Sequence, residues 1–186
     1  MIPQEQHISE LIRDCLKGDA GAQKALYIRF SPKVRTICRR YMSKDHVPDA
    51  MQECFIQIFR SLKNYKSTNG DINGWIYRLC QWTLLKMIKK NKIKFSEVDM
   101  VSLDNHHQVP PSILSSLHTE TIIGLIQSLP DGYRIILNLF VFEEYTHREI
   151  ANILHISEST SRSQLTRARA LLKSKLSQLN QYKHAK

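Results

Sequence analysis

The sequence predicts an all-α protein: two small helical domains joined by a flexible linker, the C-terminal one ending in a helix-turn-helix. Three observations carry this expectation. Apolar residues recur at helical spacing along most of the 186 residues, and no stretch alternates apolar with polar residues as a half-buried strand would. Residues 95–118, FSEVDMVSLDNHHQVPPSILSSLH, lose that periodicity and gain serines and Pro110-Pro111. Residues 145–172, YTHREIANILHISESTSRSQLTRARALL, have the form of a short capped helix, a tight turn and a longer basic helix. A chain of this length forms one or two domains with modest cores. The expected boundaries are 1–94 for the first, 95–118 for the tether and 119–186 for the second.

The elements follow in order. Ile8 to Gly18 forms a first helix that Gly18 stops, with Asp19 placed to cap the next. Ala22 to Tyr41 continues, with a bend or break expected at Ser31-Pro32, because proline lacks a donor and clashes with the preceding turn. Val47 to Leu62 comes next, then a polar loop from Asn64 to Asn73, then a helix from Gly74 to about Asn91. Past the tether, a helix starts near Thr119 and pauses at Leu129-Pro130-Asp131-Gly132, and a further one runs from Tyr133 to Phe142.

The net charge of +10 is uneven. Residues 1–94 hold 18 Lys/Arg against 8 Asp/Glu, the tether carries three acidic residues and no basic ones, and residues 119–186 hold 9 against 6. Two basic blocks around an acidic middle imply a polyanion partner, since neutralising phosphates releases counterions. A membrane surface is the rival, but no segment has the length of a spanning helix. The start MIPQEQHISE lacks a basic region followed by an apolar one, so a cytoplasmic protein is expected. Cys15, Cys38, Cys54 and Cys80 stand far apart in apolar helical patterns, which suits buried free thiols better than zinc or a disulfide framework. No cofactor or metal is expected.

Within the last motif, Thr146 and Glu149 have the spacing of a capping box, and Ile150, Ala151, Ile153 and Leu154 supply an apolar face. Ile156 is expected to plug the turn and Ser157 to cap the following helix. On that helix Leu165, Ala168, Leu172 and Leu176 share one stripe. Ser159, Thr160, Ser163 and Arg167 lie opposite, flanked by Arg162 and Arg169. A face that is slim at its start, hydroxylated and cationic suits a DNA major groove, where arginine makes bidentate contacts with guanine.

Two more constellations stand out. Met51, Cys54, Phe55, Ile58, Phe59 and Leu62 form one stripe expected to be buried, and the other face carries Asp49, Glu53, Gln57 and Arg60 with Ile56 among them. That polar face is either a solvated surface with a stray isoleucine or a protein-docking surface. The second constellation combines Tyr65, Trp75, Tyr77 and Trp82 with Arg78, Lys86, Lys89, Lys90 and Lys92 around a polar loop, the chemistry that holds unstacked bases and a single-stranded backbone. Against this, Trp75, Leu79 and Trp82 recur at helical spacing, which suits a core.

With these residues in view, the chain resembles the extracytoplasmic-function (ECF) sigma factors of bacterial RNA polymerase across nearly its whole length. The motif Asp49-Ala50-Met51-Gln52-Glu53-Cys54-Phe55, then Trp75-Ile76-Tyr77-Arg78, matches the family's first domain. Leu129-Pro130 with Arg134, then Glu149-Ile150-Ala151, then Ser159-Thr160-Ser161-Arg162-Ser163-Gln164-Leu165-Thr166-Arg167-Ala168-Arg169, matches its second. The resemblance implies that Asp49, Gln52, Glu53 and Ile56 bind core RNA polymerase at its clamp helices. It implies that Tyr65, Lys66, Ser67, Thr68, Asn69, Asp71 and Asn73 capture an extruded base of the minus-10 promoter element, with Trp75, Arg78 and Lys89 on the helix behind holding the displaced strand. It further implies that Arg162, Ser163, Thr166 and Arg167 read the minus-35 element, with Thr160 and Arg169 on phosphates. Promoter DNA, core RNA polymerase and an anti-sigma factor are the partners it suggests. The chain departs from the family pattern in three places: Ser159-Thr160-Ser161 replaces Gly-Thr-Val, Gln164 an arginine, and Gln81-Trp82 an Arg-Asn pair.

The expected function is therefore promoter recognition and strand opening within the polymerase. A helix-turn-helix regulator acting on duplex DNA without polymerase is the alternative, but it leaves the Asp49/Glu53 face and the aromatic loop without a task. A hydrolase built on His106-His107 with Asp104 would lack a rigid frame in a Pro/Ser tether, so no enzyme is expected.

Overall fold

The computed structural model describes residues 4–66, 71–90 and 119–184, and among these every regular element is helical. The tether residues, with Asp104, His106, His107 and Pro110-Pro111, lie outside the described residues. The chain divides into two compact units, residues 1–38 with 45–88, and 39–44 with 89–186.

The first unit is built from α1, Gln4–Leu16, α2, Ala20–Tyr41, α3, Val47–Ser61, and α4, Ile72–Lys90, except that the last residues of α2 and α4, 39–41 and 89–90, count with the second. Gly18 adopts a φ of +86°, which only glycine takes without strain, and the Asp19 carboxylate accepts the Ala22 N–H at 2.6 Å to cap α2. Of the bend or break expected at Ser31-Pro32, no break occurs: α2 runs unbroken through Pro32. Proline leaves the Ile28 carbonyl without its intrahelical donor, and the Ser31 hydroxyl, one residue earlier, donates to that oxygen instead at 3.3 Å. Pro48 opens α3, where a missing N–H costs nothing. After Ser61 the chain tightens into one 3₁₀ turn, Leu62–Asn64.

Ile8, Ile12, Leu26, Phe30, Val34, Ile37, Cys54, Phe55, Ile58, Leu62, Ile76 and Leu84 fill this core. Of the stripe expected on α3, Met51 and Phe59 are half-buried, because they stand at its margins. All four cysteines are free and buried. Cys38 and Cys54 bring their sulfurs within 3.9 Å. The thiol contact with Cys38, reinforced by burial, pushes the Cys54 pKa up, and the contact with Cys54 does the same for Cys80. The Cys54 and Cys80 thiols therefore stay neutral and behave as small apolar side chains.

In the second unit, α5 spans Thr119–Gln127 and α6 Asp131–Leu137; a π-helical turn, Asn138–Phe142, extends α6. α7 spans His147–Leu154 and α8 Glu158–His184. Ile123, Leu129, Ile135, Ile136, Leu139, Ile150, Leu154, Leu165 and Ala168 form its core. Arg134 is buried, and it donates to the Gln127 and Leu129 carbonyls at 2.9 and 2.8 Å and pairs with Asp131. It thereby closes the Leu129-Pro130 turn between α5 and α6. Among the described residues no helix is long and apolar enough to cross a membrane.

Candidate nucleic-acid and polymerase interface

The helix-turn-helix is built by its caps. The Thr146 hydroxyl accepts the Glu149 N–H at 3.3 Å while the Glu149 carboxylate accepts the Thr146 N–H at 2.8 Å, the reciprocal capping box. The Thr146 N–H, and the Thr146 hydroxyl donating to the same carboxylate oxygen at 2.8 Å, hold the Glu149 carboxyl's pKa below its ordinary value. At the other end of α7 His155 adopts φ +55°, and the N–H groups of His155 and Ile156 both reach the Ala151 carbonyl. A left-handed residue is what a sharp helix stop requires, and here histidine rather than glycine takes the position. Ile156, expected as a buried plug, is half-buried: the left-handed His155 already closes the turn through the backbone. Ser157 caps α8, its hydroxyl accepting the Thr160 N–H at 3.0 Å.

The outward face of α8 carries most of the residues expected there. Arg162, Ser163, Thr166 and Arg169 are exposed, and Thr160 and Arg167 are half-buried. Arg162 pairs with Glu158 one turn earlier. The hydroxyls of Ser163 and Thr166 donate to the carbonyls of Thr160 and Arg162, at 3.0 and 3.1 Å. Both retain acceptor capacity, and the Arg162–Glu158 pair, being exposed, is worth little enough for a phosphate or base to displace. Arg169 lies over the Phe140 ring, 5.4 Å from its centroid.

On the opposite side of α8, Ser161 is fully buried with its hydroxyl 2.9 Å from His147 Nδ1, and His147 stacks on Phe140 with centroids 4.6 Å apart. Spacing alone did not reveal this pair. The available signal was a serine at a buried register, which requires a polar partner.

In the first unit, α3 presents Asp49 and Gln52 exposed, with Glu53 and Ile56 half-buried beside them. Gln57 donates to Glu53 at 2.8 Å and orients its carboxylate. In the loop, Ser67, Thr68 and Asn69 lie outside the described residues. Tyr65 packs on Trp75 with centroids 5.5 Å apart, and Lys66 is exposed. Asp71 accepts from Asn73 at 3.2 Å, and Asn73 in turn accepts from Lys33 of α2 at 3.3 Å. These bonds fix the rim of the loop to the helix frame.

On α4, Trp75 is half-buried, but Trp82 is 55 % exposed, so of the two places its sequence context left open, core or base-stacking surface, it does not take the core. Ile72, Ile76, Cys80, Leu84 and Ile88 recur every four residues and occupy the inner face. Trp82, two residues from both Cys80 and Leu84, therefore lies about half a turn away. It shares the outer face with exposed Arg78, Lys86 and Lys89, and Lys86 sits 5.2 Å from its ring centroid.

A capped helix, a left-handed turn and a helix lined with hydroxyls and arginines place the second unit among helix-turn-helix DNA-binding modules. The family model for sigma-70 region 2 matches residues 26–93, and that for sigma-70, region 4 matches residues 119–172. The ECF RNA polymerase sigma-E factor of Escherichia coli (strain K12) is 27% identical over 180 residues, 91% of this chain and 94% of that protein. That of Haemophilus influenzae (strain ATCC 51907 / DSM 11121 / KW20 / Rd) is 25% identical, covering 91% and 95%. Among solved structures, CnrH in complex with the cytosolic domain of CnrY matches 90% of this chain and 95% of its own at 17% identity, with a TM-score of 0.42. The chain belongs to the ECF sigma factors of RNA polymerase, a family of transcription-initiation subunits that bind DNA and the polymerase and are generally not enzymes. The alternative of a regulator working without polymerase is not favoured.

Proposed function

We propose that this sigma factor divides its work between residues 1–94, which hold core polymerase and the minus-10 element, and residues 119–186, which hold the minus-35 element, with 95–118 as the tether between them. The observation that carries this reading is the outward face of α8, where arginines and hydroxyls line a helix whose start is capped by Ser157 and which follows the capped helix α7. Arg162, Ser163, Thr166 and Arg167 read base edges, and Thr160 and Arg169 hold phosphates. Asp49, Gln52, Glu53 and Ile56 dock on the polymerase clamp helices, an acidic rim around one apolar anchor.

Tyr65, Lys66, Ser67, Thr68, Asn69, Asp71 and Asn73 take up an extruded minus-10 base. Arg78, Lys89 and Trp75 guide the displaced strand, and the exposed Trp82 extends that face. Flipping a base costs a few kcal/mol, so the loop rim already tied to Lys33 and Trp75 favours capture by being ordered beforehand. The protein acts in the cytoplasm, where its polymerase is. An anti-sigma protein, as in the family at large, would hold it inactive.

Run-off transcription with core polymerase on a promoter library tests the reading: start sites should appear only with both components present. Arg167→Ala is expected to weaken promoter binding by about 1–3 kcal/mol and relax one minus-35 position; unchanged promoter choice removes it from the set. Glu53→Arg is expected to abolish association with core enzyme while the circular dichroism spectrum stays that of the wild type. Retained association rejects the clamp contact, and a promoter duplex shifted equally with and without core enzyme rejects the whole assignment.

A further inference from the structure

Ser161 stands one residue before Arg162 and points the other way, into the core. Its hydroxyl meets His147 Nδ1 at 2.9 Å, a hydrogen bond whose direction follows the imidazole tautomer. The same imidazole stacks on Phe140 of the π-helical turn, at 4.6 Å and 26°, and Arg169 of α8 lies over that phenyl ring. Two points of α8, eight residues apart, are thus tied to one stack of rings that spans the start of α7 and the middle of the π turn.

We propose that His147 is a positioning residue for minus-35 recognition, its bond with Ser161 fixing the rotation of α8 about its own axis. The proposal rests on the reading of α8 as the minus-35 helix. Apolar packing is non-directional and allows a helix to roll, whereas this hydrogen bond, from buried Ser161 to half-buried His147, has a defined length and angle, and breaking it leaves the buried Ser161 hydroxyl without that partner. A roll of about 15° carries an arginine tip some 2 Å, several times the ~0.5 Å tolerance of a productive site. Serine in place of an apolar residue therefore exchanges packing for direction, and histidine at the start of α7 supplies the partner. Burial and the nearby Arg162 and Arg169 lower the imidazole pKa, with Glu158 opposing them, so the ring is neutral at physiological pH.

The test uses holoenzyme reconstituted from the full chain and core polymerase, selecting open complexes from a promoter library randomised at the minus-35 and minus-10 elements. His147→Phe and Ser161→Val are each expected to flatten the minus-35 preference about tenfold and leave the minus-10 preference unchanged. Ser161→Thr, the same shape as valine with the hydroxyl kept, is expected to preserve it. The double variant H147F/S161V should be no worse than either single change, since both remove one bond. A wild-type minus-35 preference in His147→Phe overturns the positioning role, as does an equal loss at both elements. Should Ser161→Val not fold, His147→Phe and Ser161→Thr still decide the matter. Arg162→Ala separates the two levels: if it leaves the minus-35 preference intact, α8 is not the reading helix. If it changes that preference while His147→Phe does not, only the positioning role falls. The imidazole ¹⁵N shifts give an independent readout, expected to move in Ser161→Val and to return in Ser161→Thr.

Discussion

His147 ties the chemistry of a single side chain to the stability of its unit. Burial, then Arg162, lower its pKa below the ordinary imidazole value. A group whose folded pKa is depressed stabilises the fold above its unfolded value, about 6.5, and that contribution is lost as pH falls through the folded value. The thermal midpoint is therefore expected to be lower at about pH 5 than at about pH 7.5, and His147→Phe should show a shallower dependence over that window. A dependence identical in the two proteins would mean that the imidazole is not the titrating group. Trp82 illustrates the opposite outcome at the same scale. Its spacing from Trp75 and Leu79 allowed a core and its aromatic character a base-stacking surface; neighbours at better spacing fill the core, and the ring is left in solvent beside Lys86.

At the scale of elements, caps and breaks decide where helices begin and end. Thr146, Ser157 and Asp19 could be assigned as caps from the sequence, because a cap depends on one side chain and the three residues after it. Thr146→Ala is expected to cost about 1 kcal/mol, measured by urea unfolding of the full chain, with the slope of the transition unchanged. A loss well below that would show that Glu149 alone carries the cap. Pro32 went the other way. Its rule concerns the missing donor, and the outcome rested on whether anything else satisfied the freed carbonyl; the Ser31 hydroxyl does, and the helix continues.

For the whole molecule, uneven charge governs how promoter DNA is held. Residues 1–94 carry most of the cationic excess, and α4 ends in Lys89 and Lys90. Promoter affinity of the holoenzyme should fall linearly with salt on a logarithmic plot, and Lys89→Ala should reduce the slope by about 1 without changing sequence preference. An unchanged slope would take Lys89 off the phosphate backbone.

Fold class, the two helical blocks and the helix-turn-helix were legible in the residues alone, because helical periodicity and caps act over a few positions and leave their mark in spacing. The acidic face of α3 and the basic face of α8 were legible for the same reason: each is one side of one helix. What required the folded chain was every outcome set by competition between distant residues. Whether Trp82 or Leu84 takes the inner face of α4, whether a proline breaks α2, and which group satisfies a buried serine each depend on partners that packing brings together. A local pattern can show that Ser161 needs a hydrogen bond, but only three-dimensional proximity selects His147, fourteen residues away, to make it.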